Sequence, residues 1–197
     1  MKKLILKLIN NLGYDLIKKS PNSFDNEFLD IYDECKEYTC TSIERMYALY
    51  KSVEYILKND IPGDFIECGV WRGGSCMLIA KTLRKNNCNN RHIVLFDTFE
   101  GMNTPTNMDI DFKGVLAQKL FNEFKQKFKS NMSKVELSEV ENNMRKTDYP
   151  LTEITFVKGK VEDTLPKYGI KNKIALLRLD TDWYESTKTK PLCTESA

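Results

Sequence analysis

An α/β fold built on a parallel, doubly wound sheet is predicted by three features of this 197-residue sequence. Short apolar runs alternate with helical patterns from Asp64 onward. A glycine-rich turn joins the first run to a helix, and the second and fourth runs end in the carboxylates Asp97 and Asp180. In such sheets ligands gather at the carboxyl ends of the strands, so those residues are the first candidates for a site. With 30 Lys+Arg against 28 Asp+Glu the formal net charge is +2, which provides no field for nucleic acid. A composition of 41% hydrophobic and 29% charged residues is that of a globular domain.

The amino terminus, MKKLILKLINNLGYDLIKK, places Leu4, Ile5, Leu8, Ile9, Leu12, Leu16 and Ile17 at helical spacing with lysines opposite. Lys7 interrupts the apolar run and no small-residue cleavage site follows, so an amphipathic helix is expected rather than a secretion signal or transmembrane segment. Its apolar face suits its own domain or a second copy in a homo-oligomer. Weak contact of its basic face with a membrane surface is the alternative. Residues 20–38 read as a polar linker with one short helical stretch, so that 1–40 form an N-terminal helix and linker and 41–197 the main domain. Thr41 and Glu44 have capping-box spacing ahead of an apolar face of Tyr47, Ala48, Tyr50, Val53, Ile56 and Leu57.

Asp64 to Cys68 is then a short buried strand, Gly69 to Ser75 the turn, and Cys76 to Arg84 a helix. His92 to Asp97 is the second strand. Residues 101–150 form a long, lid-like insertion, mostly helical or irregular, in which Phe112 to Val140 carries Leu116, Leu120, Phe121, Phe124 and Phe128 at helical spacing. Ile154 to Lys158 and Ile174 to Asp180 are the third and fourth strands, with a helix opening at VEDTLP between them. The cysteines Cys35, Cys40, Cys68, Cys76, Cys88 and Cys193 include no CxxC pair, and His92 is the single histidine. A zinc site is therefore disfavoured, and reduced thiols in a cytoplasmic protein are expected.

The turn Gly69-Val70-Trp71-Arg72-Gly73-Gly74-Ser75 lets backbone approach a ligand beside a helix N-terminus. It is neither the GxGxxG fingerprint of a nicotinamide site nor a phosphate loop. Asp97 stands where an acid can accept both hydroxyls of a ribose. Asp180 and Asp182 flank Thr181 and offer oxygen ligands for a hard cation, or a base. An acidic cluster at a helix start is the plain structural alternative.

The runs ERMYALYKSVEYI, GDFIECGVWRGGSCMLIA, VLFDTFEGM, FVKGKVEDTLP and LLRLDTDWYEST, in that order, resemble the macrocin O-methyltransferase (TylF-type) family of sugar O-methyltransferases over residues 38–188. The resemblance implies a Rossmann-like class I methyltransferase sheet, S-adenosylmethionine as methyl donor, a magnesium ion, and a sugar or glycoside hydroxyl as acceptor. It implies that Glu67, Gly69, Val70, Trp71 and Ser75 line the methionine and ribose end of the donor. Asp97, with Thr98 and Phe99, matches the ribose-binding segment, and Gly159, Val161 and Glu162 border the adenine. Asp180 matches the metal ligand and general base, and the YTCTSIER segment resembles one that closes over the donor. The family continues into a GG…DDYG strand with two further metal acids, where this chain reads TKPLCTESA. A C-terminally truncated sheet with an exposed fourth strand and an incomplete magnesium site is therefore expected. A non-catalytic remnant that at most binds the donor is the alternative to an active enzyme.

Overall fold

In the computed structural model, residues 24–111, 113–128 and 134–188 are described. The amphipathic helix expected near the amino terminus, residue Phe112 and the final residues 189–197 lie outside them. Strands β1 (Asp64–Cys68), β2 (Ile93–Asp97), β3 (Ile154–Lys158) and β4 (Ile174–Leu179) form one sheet in the order β3-β2-β1-β4. All three pairings are parallel. Helices α1 (Asn26–Cys35), α2 (Ile43–Lys58), α3 (Gly74–Lys85), α4 (Ala117–Phe128), α5 (Leu137–Arg145), α6 (Val161–Tyr168) and α7 (Tyr184–Lys188) accompany it.

The central strands are apolar because both their faces are covered. Alternate side chains of β2 feed two cores: Ile93 and Leu95 join Tyr50, Phe65, Met77 and Leu83 beneath α1, α2 and α3. Val94 and Phe96 join Ile66, Cys68, Val161 and Leu165 on the α6 side. Among the described residues β4 pairs only with β1, so it forms an edge; its side chains are half-buried and Leu179 is exposed. No described helix is long and apolar enough to cross a membrane.

Two local expectations change. The 20–38 stretch, read as a linker with one short helical stretch, contains the ten-residue helix α1, which buries Phe28, Ile31 and Cys35. The Phe28 ring lies 5.0 Å from Tyr47 and 5.5 Å from Tyr50. Its polar composition hid three apolar residues on one face, enough for a helix that leans on a neighbour. The Thr41–Glu44 capping box does not form: Ser42 is the N-cap of α2, and the Thr41 hydroxyl accepts from Arg178 instead. Within the insertion, Leu120, Phe121, Phe124 and Phe128 fall in α4, and Val140 falls in α5.

Candidate active site

The carboxyl ends of all four strands meet at one rim, held by backbone bonds. Gly69 N donates to Phe96 O at 2.9 Å, Gly159 N to Asp97 O at 2.9 Å, and Asp180 N to Cys68 O at 2.8 Å. Gly69 has φ +84°, and a Cβ there would lie 2.3 Å from the Asp180 carbonyl oxygen. Only glycine allows the turn and the end of β4 to approach so closely.

Asp97 closes the turn from the neighbouring strand. Its Oδ2 accepts from the backbone N–H of Val70 at 2.7 Å and of Trp71 at 3.1 Å, and its Oδ1 accepts from Phe99 N–H at 2.8 Å. Trp71 and Phe99 both have positive φ, at 49° and 50°, so the turn and the segment after β2 are strained where Asp97 grips them. Thr98 Oγ1 donates to Gly101 O at 2.9 Å, fixing the exit into the insertion.

Glu67 is 1% exposed at the end of β1. Cys76 Sγ donates to its Oε2 at 2.7 Å, and Arg178, its register partner on β4, forms an ion pair with Oε1. Burial pushes the Glu67 carboxyl up to about 7, against the pull of the Arg178 charge. Burial, with the Glu67 charge beside it, raises the Cys76 thiol well above its usual range and keeps it a donor. The same Arg178 Nη1 donates to Asp180 Oδ2 at 2.9 Å. Arg178 was absent from the sequence-derived site; its place opposite Glu67 in the register is the signal that finds it.

Asp182 is exposed near the same rim. Partial desolvation and the charges of Asp180 and Asp97 raise its carboxyl above the usual range. The Ser75 hydroxyl faces Met46 Sδ at 3.8 Å inside the α2–α3 contact, and the residue is buried in the first turn of α3. Val161 is buried in the smaller core, and Glu162 follows it in the first turn of α6. The sequence reading also missed how the insertion is anchored: Trp183 Nε1 donates to Asn103 O at 2.9 Å, and Tyr184 N to Asp109 Oδ1 at 2.6 Å.

A cavity of about 390 Å³ lined by Phe99, Glu100, Leu137 and Lys158 opens beside the rim. A larger one of about 680 Å³, lined by Gly63, Arg91, His92 and Lys173, lies at the opposite, amino ends of the strands, away from the turn. Among the described residues no group of three His, Cys, Asp or Glu side chains is arranged to hold a metal ion. Asp180 is already paired with Arg178, so this donor set does not fit magnesium.

A parallel sheet with a glycine turn after β1, an acid at the end of β2 that grips the turn and a buried acid at the end of β1 is the Rossmann-like sheet seen in solved O-methyltransferases. The chain belongs to the macrocin-O-methyltransferase (TylF) family, whose model it matches over residues 1–192. It is 33% identical over 150 residues to the demethyldecarbamoylnovobiocin O-methyltransferase of Streptomyces niveus, covering 76% of this chain and 54% of that one. It is 31% identical over 150 residues, with the same coverages of 76% and 54%, to the 8-demethyl-8-(2,3-dimethoxy-alpha-L-rhamnosyl)-tetracenomycin-C 4'-O-methyltransferase of Streptomyces olivaceus. The solved O-methyltransferase NovP superposes with a TM-score of 0.62 at 28% identity, over 95% of this chain and 76% of that one. The chain thus spans about half the length of the curated relatives it matches.

Proposed function

We propose that residues 41–197 form the donor-binding domain of an S-adenosylmethionine-dependent O-methyltransferase acting in the cytoplasm on a sugar hydroxyl, with 101–150 as its lid. The observation that carries this reading is the Asp97 clamp on the backbone of the Gly69–Trp71 turn, directly above the buried Glu67. Relatives that include a methyltransferase named for a rhamnosyl-tetracenomycin support a glycoside substrate.

The residues fit the donor: the glycine turn leads into the N-terminus of α3, whose N-cap Gly73 makes no side-chain cap, so the first-turn N–H groups are not capped by a side chain. S-adenosylmethionine, when bound, supplies an electrophilic methyl group on a sulfonium centre. Gly69, Val70 and Trp71 position its methionine and ribose end, Asp97 accepts from ribose hydroxyls, and Gly159, Val161 and Glu162 border the adenine. The Asp180 carboxylate would hold the acceptor hydroxyl and accept its proton. The described residues do not make a magnesium site, and Asp180 pairs with Arg178. That misfit favours a second reading, in which the chain binds the donor without transferring the methyl group.

The test is a thermal melt of the purified chain with and without the donor, followed by labelled methyl transfer to a nucleotide sugar or glycoside. Donor at about 100 times its Kd adds roughly 2.7 kcal/mol, an upward shift of several degrees. A melt indifferent to the donor refutes both readings. Label in the sugar selects the enzyme; a shifted melt without label selects the binder.

A further inference from the structure

The segment 36–42, between α1 and α2, crosses the glycine turn as a strap. It passes so close that a Cβ on Gly74 would lie 2.7 Å from the Tyr38 carbonyl carbon and oxygen. Two arginines hold it from opposite sides. Arg72, in the turn itself, donates from Nη1 to Glu37 O at 2.9 Å and stacks its guanidinium over the Tyr38 ring at 5.3 Å. Arg178, on β4, donates from Nη2 to Thr41 Oγ1 at 3.1 Å.

Arg178 makes this reach while its Nη1 serves Glu67 and Asp180, so one planar guanidinium joins the strap, the buried acid under the turn and the acid on the acceptor side. Its side chain is 17% exposed. A guanidinium fork is rigid, so the direction of the Thr41 bond is set by the two carboxylates. Thr41 stands immediately before the N-cap of α2, where a capping bond was expected; its hydroxyl is committed to the sheet instead.

We propose that Arg178 is a positioning residue that latches the 36–42 strap over the glycine turn, so that the donor crevice is closed from β4 as well as from β1. The consequence for donor affinity rests on the donor-binding reading above; the latch itself does not. Glu67 fixes Arg178, Arg178 fixes Thr41, and Thr41 fixes the strap that roofs the turn. Thr41→Val removes the last link and keeps the Glu67–Arg178 pair and the core beneath it. Arg178→Lys keeps the charge facing Glu67 but lacks the fork that serves all three partners at once.

The experiment measures amide hydrogen exchange over 36–42 in the unliganded full chain, and S-adenosylmethionine affinity by calorimetry on the same preparations. The proteins are wild type, Thr41→Val, Arg178→Lys and Arg178→Gln. Strap exchange is expected to rise about tenfold in Thr41→Val and in Arg178→Gln, as suits the loss of one charge-assisted hydrogen bond. Arg178→Lys is expected to fall between wild type and Arg178→Gln. Donor affinity falls in the same order while the melt of Thr41→Val stays at the wild-type value. Unchanged strap exchange in Thr41→Val overturns the latch, even if Arg178→Gln does not fold. Faster exchange with unchanged donor affinity overturns its role in closing the crevice. Faster exchange in a wild-type background that binds no donor leaves the latch standing and refutes the donor-binding reading instead.

Discussion

Asp97 illustrates how a residue picked for one task is found holding another. Its two oxygens already accept from Val70, Trp71 and Phe99, so the carboxylate shapes the turn before any ribose arrives. Asp97→Asn puts an NH2 group against one of those N–H donors, at a cost of about 1 to 3 kcal/mol. Melt temperature and donor affinity should fall together; a purely ribose-binding role would lower affinity and leave the melt where it was. Gly69→Ala forces a side chain into φ +84° and onto the Asp180 carbonyl, and should cost at least about 2 kcal/mol in denaturant unfolding. A loss below about 0.5 kcal/mol would mean that β4 yields freely at this point. Glu67 carries a pH signature. Its carboxyl is raised from 4.5 to about 7 in the folded chain, so between those values the folded state keeps a proton that the unfolded state has released. The Glu67 contribution to stability is therefore highest below 4.5, falls as pH rises to about 7, and is flat above. The difference in melt temperature between wild type and Glu67→Gln, followed across that window, should decline with pH; a constant difference would refute it.

At the scale of elements, Trp183 ties the segment after β4 to the insertion, through its hydrogen bond to Asn103 O and its ring contact with Phe121 at 6.1 Å. Trp183→Ala should leave the sheet's melt nearly unchanged and raise proteolysis within residues 101–128, since the sheet's cores do not include that side chain. Equal cleavage in wild type and variant would show that Asp109 and its bonds to Thr106 and Tyr184 anchor the insertion without help. The four strands and the α3 helix were legible because buried strands are short apolar runs and the glycine turn punctuates them. Helix α1 was not, because its mostly polar sequence buries only Phe28, Ile31 and Cys35, and those three matter only once α2 is beside them.

For the molecule as a whole, donor binding and metal binding separate. In the proposed function the donor would rest on the ends of β1, β2 and β3 under the strap, whereas the acids after β4 are Asp180, tied to Arg178, and Asp182. S-adenosylmethionine affinity should therefore be the same in a chelator as in millimolar magnesium; a severalfold gain with magnesium would mean that the metal shapes the donor crevice.

By itself the sequence determined the family, the strand order along the chain, the glycine turn and the acids that close two strands, because each is a local pattern of residue type and spacing. Only the tertiary structure decided that Asp97 grips the turn, that Ser75 faces Met46, and that Arg178 joins Glu67, Asp180 and Thr41. Those contacts depend on which strands lie side by side and in what register, and a register between β1 and β4 spans more than a hundred residues of sequence that no local pattern can bridge.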